Sequence, residues 1–186
     1  MAVFIVVALR LVVPLSILRW PLAGGLISMV LDAADVVLVD LLGRAFGEPT
    51  EFGPIYAQLD KLLDTWYLTL ELIVTRRWHE ELLRRTALVL YIWRLIGAIV
   101  FELTDLHPIL VVFPNLFENF YLYVLIMWRL APRLVPRNIR ELLIVLVALY
   151  IPKAIQEWLL HWEEAHPWQW LRDTVIDPLL GRPPGG

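Results

Sequence analysis

The sequence predicts an all-α, polytopic membrane helical bundle of about six transmembrane helices, followed by a C-terminal interfacial helix. Three observations carry that expectation. Of the 186 residues, 59% are hydrophobic, against roughly 45–50% apolar usage in an ordinary soluble domain. Apolar runs near the roughly 20 residues that cross a bilayer recur at six places along the chain. Charged residues fall inside those runs, which implies a polar interior.

The first run, 2–18, has no basic leader and contains Arg10 and Pro14, so it reads as a span, not a cleaved signal. A kinked or re-entrant segment there would leave five spans. The second, 21–42, carries Gly24, Gly25 and Ser28, residues that allow close helix packing, and then Asp32 and Asp35. The third, 53–74, is the weakest, because Asp60, Lys61, Asp64 and Glu71 interrupt it. Runs 82–101 and 109–128 are the clearest, and 142–160 closes a transmembrane domain over 1–160. Segment 161–180 is Trp-rich and broken by Pro167 and Pro178, which suits a helix lying in the interface. The Gly/Pro-rich 181–186 reads as a flexible tail.

Lys and Arg placement in the connections predicts orientation. Arg76, Arg77, Arg84 and Arg85 flank one connection, and Arg129, Arg133, Arg137 and Arg140 fill another two spans later. Alternation puts both on the cytoplasmic side. Connections containing Glu48, Glu51, Glu102 and Asp105, and both termini, then fall outside.

At 100° per residue, Asp60, Asp64, Tyr67 and Glu71 form one stripe. Ser28, Asp32 and Asp35 form another, as do Asn115, Glu118 and Asn119, and Tyr150, Lys153, Glu157 and His161. An Asp, Lys or Arg at a helix centre costs about 2.5–3.5 kcal/mol in lipid. Turned outward together, these groups would cost on the order of 20 kcal/mol, more than the roughly 5–15 kcal/mol net stability of a domain. They are expected to face inward. Depth along the spans puts most of them in the outer half, so the polar centre opens outward.

The expected ion- or substrate-binding set is therefore Asp32, Asp35, Asp60, Asp64, Asn115, Glu118 and Asn119, with Lys61, Arg94 and Lys153 as counter-charges. Carboxylates outnumber bases in this set. Surplus buried acid holds protons or binds a cation. The leading expectation is cation or proton binding, or transport of a small solute. Pairing of the charges purely to lock helices together is the structural alternative. The composition excludes disulfides and thiolate chemistry, since there is no Cys, and the net charge of -3 argues against a nucleic-acid partner. The expected partners are the lipid bilayer and a small solute, ion or lipid, with oligomerisation open and a cation as the one implied cofactor.

Asp32-x-x-Asp35 followed by Asp60-x-x-x-Asp64 resembles the paired aspartates of membrane CDP-alcohol phosphotransferases and of prenyltransferases. Such carboxylates hold metal and substrate phosphates, which implies an enzyme acting on a lipid or lipid-linked substrate. The sequence departs from both patterns. Val36 stands where the first family has Gly, its Ala-Arg pair is missing, the spacing to Asp60 is longer, and the Asn-Asp start of the second is absent. A non-catalytic membrane subunit is the further alternative. Glu157, His161 and Glu164 have helical spacing suited to a metal, without forming a His-Glu-x-x-His motif.

Overall fold

The computed structural model describes residues 1–47, 54–104, 112–161 and 174, and leaves aside the side chains of 54–58 and 156–161. Among the described residues the chain is all-α, without a strand. Helix α1 (Ala2–Val12) runs directly into a 3-10 helix (Val13–Leu18). Pro14, which lacks an N–H for an α-helical bond, sits at the junction. A turn at 19–20 leads to α2 (Pro21–Ala33), with Pro at its first position, where the missing N–H costs nothing. Then follow α3 (Asp35–Phe46), α4 (Pro54–Thr75) and α5 (Glu81–Thr104). The described chain closes with α6 (Leu116–Leu130), a 3-10 turn (Pro132–Leu134) and α7 (Ile139–His161).

One expected span is broken, and a second is described only in part. The run 21–42 is not one helix: α2 and α3 meet at a 62° bend. The break falls at Ala34, between Asp32 and Asp35. The Asp35 carboxylate accepts from the Val36 backbone N–H at 2.5 Å, so the acid caps the start of α3 locally while its other oxygen serves the interior. Of the run 109–128, residues 109–111 lie outside the described residues; α6 begins at Leu116, after Pro114, with Val112 helical before that break. Asn115 is its N-cap and accepts from Glu118 N at 3.5 Å, while its amide donates to Glu118 Oε2 at 3.1 Å. Asn115 therefore ends a helix face instead of lying on one. The same Asn-x-x-Glu device opens α7, where Asn138 Oδ1 accepts from Glu141 N at 3.0 Å and its amide donates to Glu141 Oε1 at 2.7 Å. Both are capping boxes in sequence spacing.

By length and composition, one unbroken helix among the described residues, α5, qualifies to cross a membrane, and the bent α2–α3 pair qualifies if taken as one broken span. The expected interfacial helix and tail, 161–180 and 181–186, lie outside the described residues apart from His161 and Thr174.

The core is aromatic. Tyr67 and Leu68 of α4, Tyr91 of α5 and Phe117, Phe120 and Tyr121 of α6 pack together with Ile17 and Trp78. A smaller cluster joins Val6 of α1 to Val39 of α3. Contacts at the helix ends fix which ends are neighbours. Arg77, after α4, donates to Leu18 O at 3.3 Å, and Trp78 meets Trp128 edge-on at 5.2 Å. The turns after the first 3-10 helix, α4 and α6 thus share one end of the bundle. At the other, Lys61 near the start of α4 pairs with Glu102 near the end of α5.

Polar groups are buried beside this core, and apolar side chains line the outside of two helices. Arg10, Asp35, Glu71, Thr75, Asn115 and Glu118 are buried. Meanwhile Leu88, Val89, Ile92, Trp93, Ile96 and Ile99 of α5 are exposed, as are Leu143, Ile144, Val147, Ile151 and Ile155 of α7.

Candidate cation and proton site

The site is assembled around Arg10, which the apolar helix α1 carries inward until only 3% of it is exposed. Its guanidinium donates to four carboxylates. Nη1 reaches Asp35 and Asp60, and Nη2 reaches Asp32 and Asp64, the last at 2.6 Å. Asp32 comes from the end of α2, Asp35 from the start of α3, and Asp60 and Asp64 from successive turns of α4. The α2–α3 break is what lets two acids three residues apart approach one guanidinium from different helices. At the first position of α3, Asp35 also sits at the positive end of a helix dipole.

Four carboxylates against one guanidinium leave a formal surplus of three negative charges. Oxygens of Asp32, Asp60 and Asp64 lie within 4.8 Å of one another, close enough to share one metal ion. Carboxylates this close repel one another when all are ionised, and a proton or a cation among them relieves that repulsion. The cluster is graded in depth. Asp35 is 7% exposed, Asp64 27%, Asp32 29% and Asp60 40%. Its accessible side is therefore the Asp60 side.

A second polar group lies deeper. Glu118 is buried at the N-terminus of α6 and accepts from Tyr67 OH at 2.9 Å and from the Asn115 amide. Arg94 and Lys153 act on it through favourable electrostatics. Nearby, Thr69 and Tyr91 share a hydroxyl hydrogen bond of 2.7 Å. One turn beyond Tyr67 on α4, Glu71 is fully buried, and neither carboxyl oxygen has a hydrogen-bond partner among the described residues.

The structure thus gathers Asp32, Asp35, Asp60 and Asp64 into one cluster and puts Asn115 and Glu118 in a neighbouring one. Asn119 is half-buried and makes no hydrogen bond among the described residues. The expected counter-charges divide between two groups. The base that meets the aspartates is Arg10, whereas the Lys61 ammonium, on the opposite flank of α4, is drawn to Glu102 and lies over the Phe101 ring at 5.1 Å. Arg94 and Lys153 bear favourably on Glu118, a member of the expected acidic set. The signal for Arg10 was present in the sequence: it is the single charge in an otherwise apolar segment and has no oppositely charged neighbour on its own helix. The weak metal candidates Glu157, His161 and Glu164 have side chains outside the described residues. No protein-family model matches the chain, and neither the curated proteins nor the solved structures hold a match to it.

Proposed function

We propose that this chain is a multi-pass membrane protein whose Arg10-centred aspartate cluster binds a hard cation in exchange with protons. The membrane reading is supported by apolar side chains exposed on α5 and α7 together with charges buried in the interior. Exposed apolar surface on that scale calls for lipid or a partner, and buried ionisable groups in such a bundle are a functional site by default. The break between α2 and α3 fits the same reading, because non-helical backbone at membrane depth is tolerated where it lines a polar centre.

One observation carries the functional part: three carboxylates of opposed helices converge within ligand distance of one another and outnumber the single base they share. All-oxygen carboxylate donors suit Ca²⁺, Mg²⁺ or Mn²⁺, and protons compete for the same oxygens. Four N–H groups of Arg10 are already directed at carboxylates, from the five a guanidinium has. Little donor capacity is left for a phosphate, which favours cation chemistry over a lipid-phosphate enzyme. With both termini outside, the accessible Asp60 flank opens to the outer face, and a permeating or transported cation would enter there.

The test is calorimetric titration of the purified protein in lipid nanodiscs with Ca²⁺, Mg²⁺ and Mn²⁺ at two pH values. Binding accompanied by proton release, lost in Asp64→Asn, is the expected result. Absence of binding by all three ions, with unchanged thermal stability, overturns the cation reading.

A further inference from the structure

We propose that Glu71 is a second proton-binding site, separate from the Arg10 centre, that holds its proton as a neutral carboxylic acid in the seam between α2, α4 and α6. Its surroundings offer nothing for a carboxylate. The side chain is 0% exposed, and both oxygens lack a partner among the described residues. Against it, α2 contributes Gly25, where an added Cβ would stand 3.1 Å from Glu71 Oε1, and α6 contributes Tyr121 and Leu122 at 3.1 and 3.3 Å from the same point. The seam is closed there.

Neighbouring hydroxyls are committed elsewhere. Tyr121 donates to Pro21 O at 3.2 Å, Tyr67 to Glu118 and Thr75 to Leu72 O at 2.8 Å. Ser28, one turn beyond Gly25 on α2, is the exception: it is buried and its hydroxyl has no partner among the described residues. The charged group that acts on Glu71 is Glu118, which has the same sign. An isolated carboxylate in such a place is far costlier than its protonated form, so the group neutralises. A purely apolar side chain would fill the seam without that cost.

The experiment is infrared difference spectroscopy of the full chain in lipid nanodiscs at neutral pH, wild type minus Glu71→Gln. The expected result is loss of one carbonyl band of a protonated carboxylic acid. Asp64→Asn, which tests the outer cluster, leaves that band in place, so failure of cation binding and failure of the Glu71 proposal read out separately. Should Glu71→Gln not fold, Glu71→Met serves in the same subtraction. A band retained in the Glu71 variant overturns the proposal. So does a chain that folds with neither neutral side chain, because it would then require the charge.

Discussion

Arg10 is the residue on which the most depends, because a single guanidinium stands between four carboxylates that otherwise repel one another. Breaking a buried ion pair from one side costs about 3–5 kcal/mol, since the remaining charge is left uncompensated. Arg10→Gln is therefore expected to lower stability by at least that range, measured as a shift in thermal unfolding in detergent or nanodiscs. Arg10→Lys restores it only in part, because an ammonium lacks the planar fork that serves carboxylates on two sides. A Gln variant as stable as wild type would remove Arg10 from its place at the centre. By contrast, Lys61→Gln breaks a pair that is 47% and 53% exposed, and exposed pairs are worth about 0–1 kcal/mol. Asp60 and Asp64 were legible as a pair from spacing alone, because acids at i and i+4 share a helix face, whereas Asp32 and Asp35 reach the cluster from two helices. Arg10 was visible as a lone charge in an apolar segment, but its partners were not, because helical spacing relates residues on one helix and says nothing about which helix lies opposite.

At the scale of elements, glycine positions test the packing of the helical hairpin that carries Arg10 and Asp32. A Cβ on Gly24 would stand 2.5 Å from Ile17 N and 2.7 Å from Ile17 Cα, against backbone that cannot rotate away. Gly24→Ala is expected to cost at least the roughly 1–3 kcal/mol of ordinary overpacking and to loosen the Arg10 cluster with it. Gly47, in contrast, ends α3 at φ 67° with nothing within 4 Å of an added Cβ. Gly47→Ala should cost about 1–2 kcal/mol through left-handed strain alone. A Gly24→Ala variant that unfolds at the wild-type temperature would show that α2 and the 3-10 helix are not in close contact. Helix α4 makes a complementary prediction: Asp60, Lys61, Asp64 and Glu71 each raise its insertion cost, by up to about 2.5–3.5 kcal/mol for an Asp or Lys at the centre. Flanked by reporter domains alone it should insert poorly, and in the full chain efficiently. The starts of α2 and α4, at Pro21 and Pro54, fall within a residue of the expected run starts at 21 and 53. The α2–α3 break was not visible, because hydropathy reads 21–42 as continuous and no Pro or Gly marks Ala34.

For the whole molecule, the contacts at one end of the bundle constrain topology independently of charge counting. Arg77 reaches Leu18 O, and Trp78 stacks edge-on against Trp128, so the turns after the first 3-10 helix, α4 and α6 face the same side. Basic residues gather at two of these three turns, where the positive-inside rule puts the cytoplasm, while Lys61 and Glu102 mark the far end. Labelling in sealed vesicles of known orientation tests both facts at once. A Cys at Arg77 and one at Arg137 should be protected together from an impermeant reagent applied outside, and a Cys at Thr104, exposed at the end of α5, should react. Reaction at Arg77 and Arg137 with protection at Thr104 keeps the fold but inverts it in the membrane, moving the accessible Asp60 flank to the cytoplasmic side. Different behaviour of Arg77 and Arg137 is incompatible with the shared end, and would break the alternation on which the sidedness of the cation site depends.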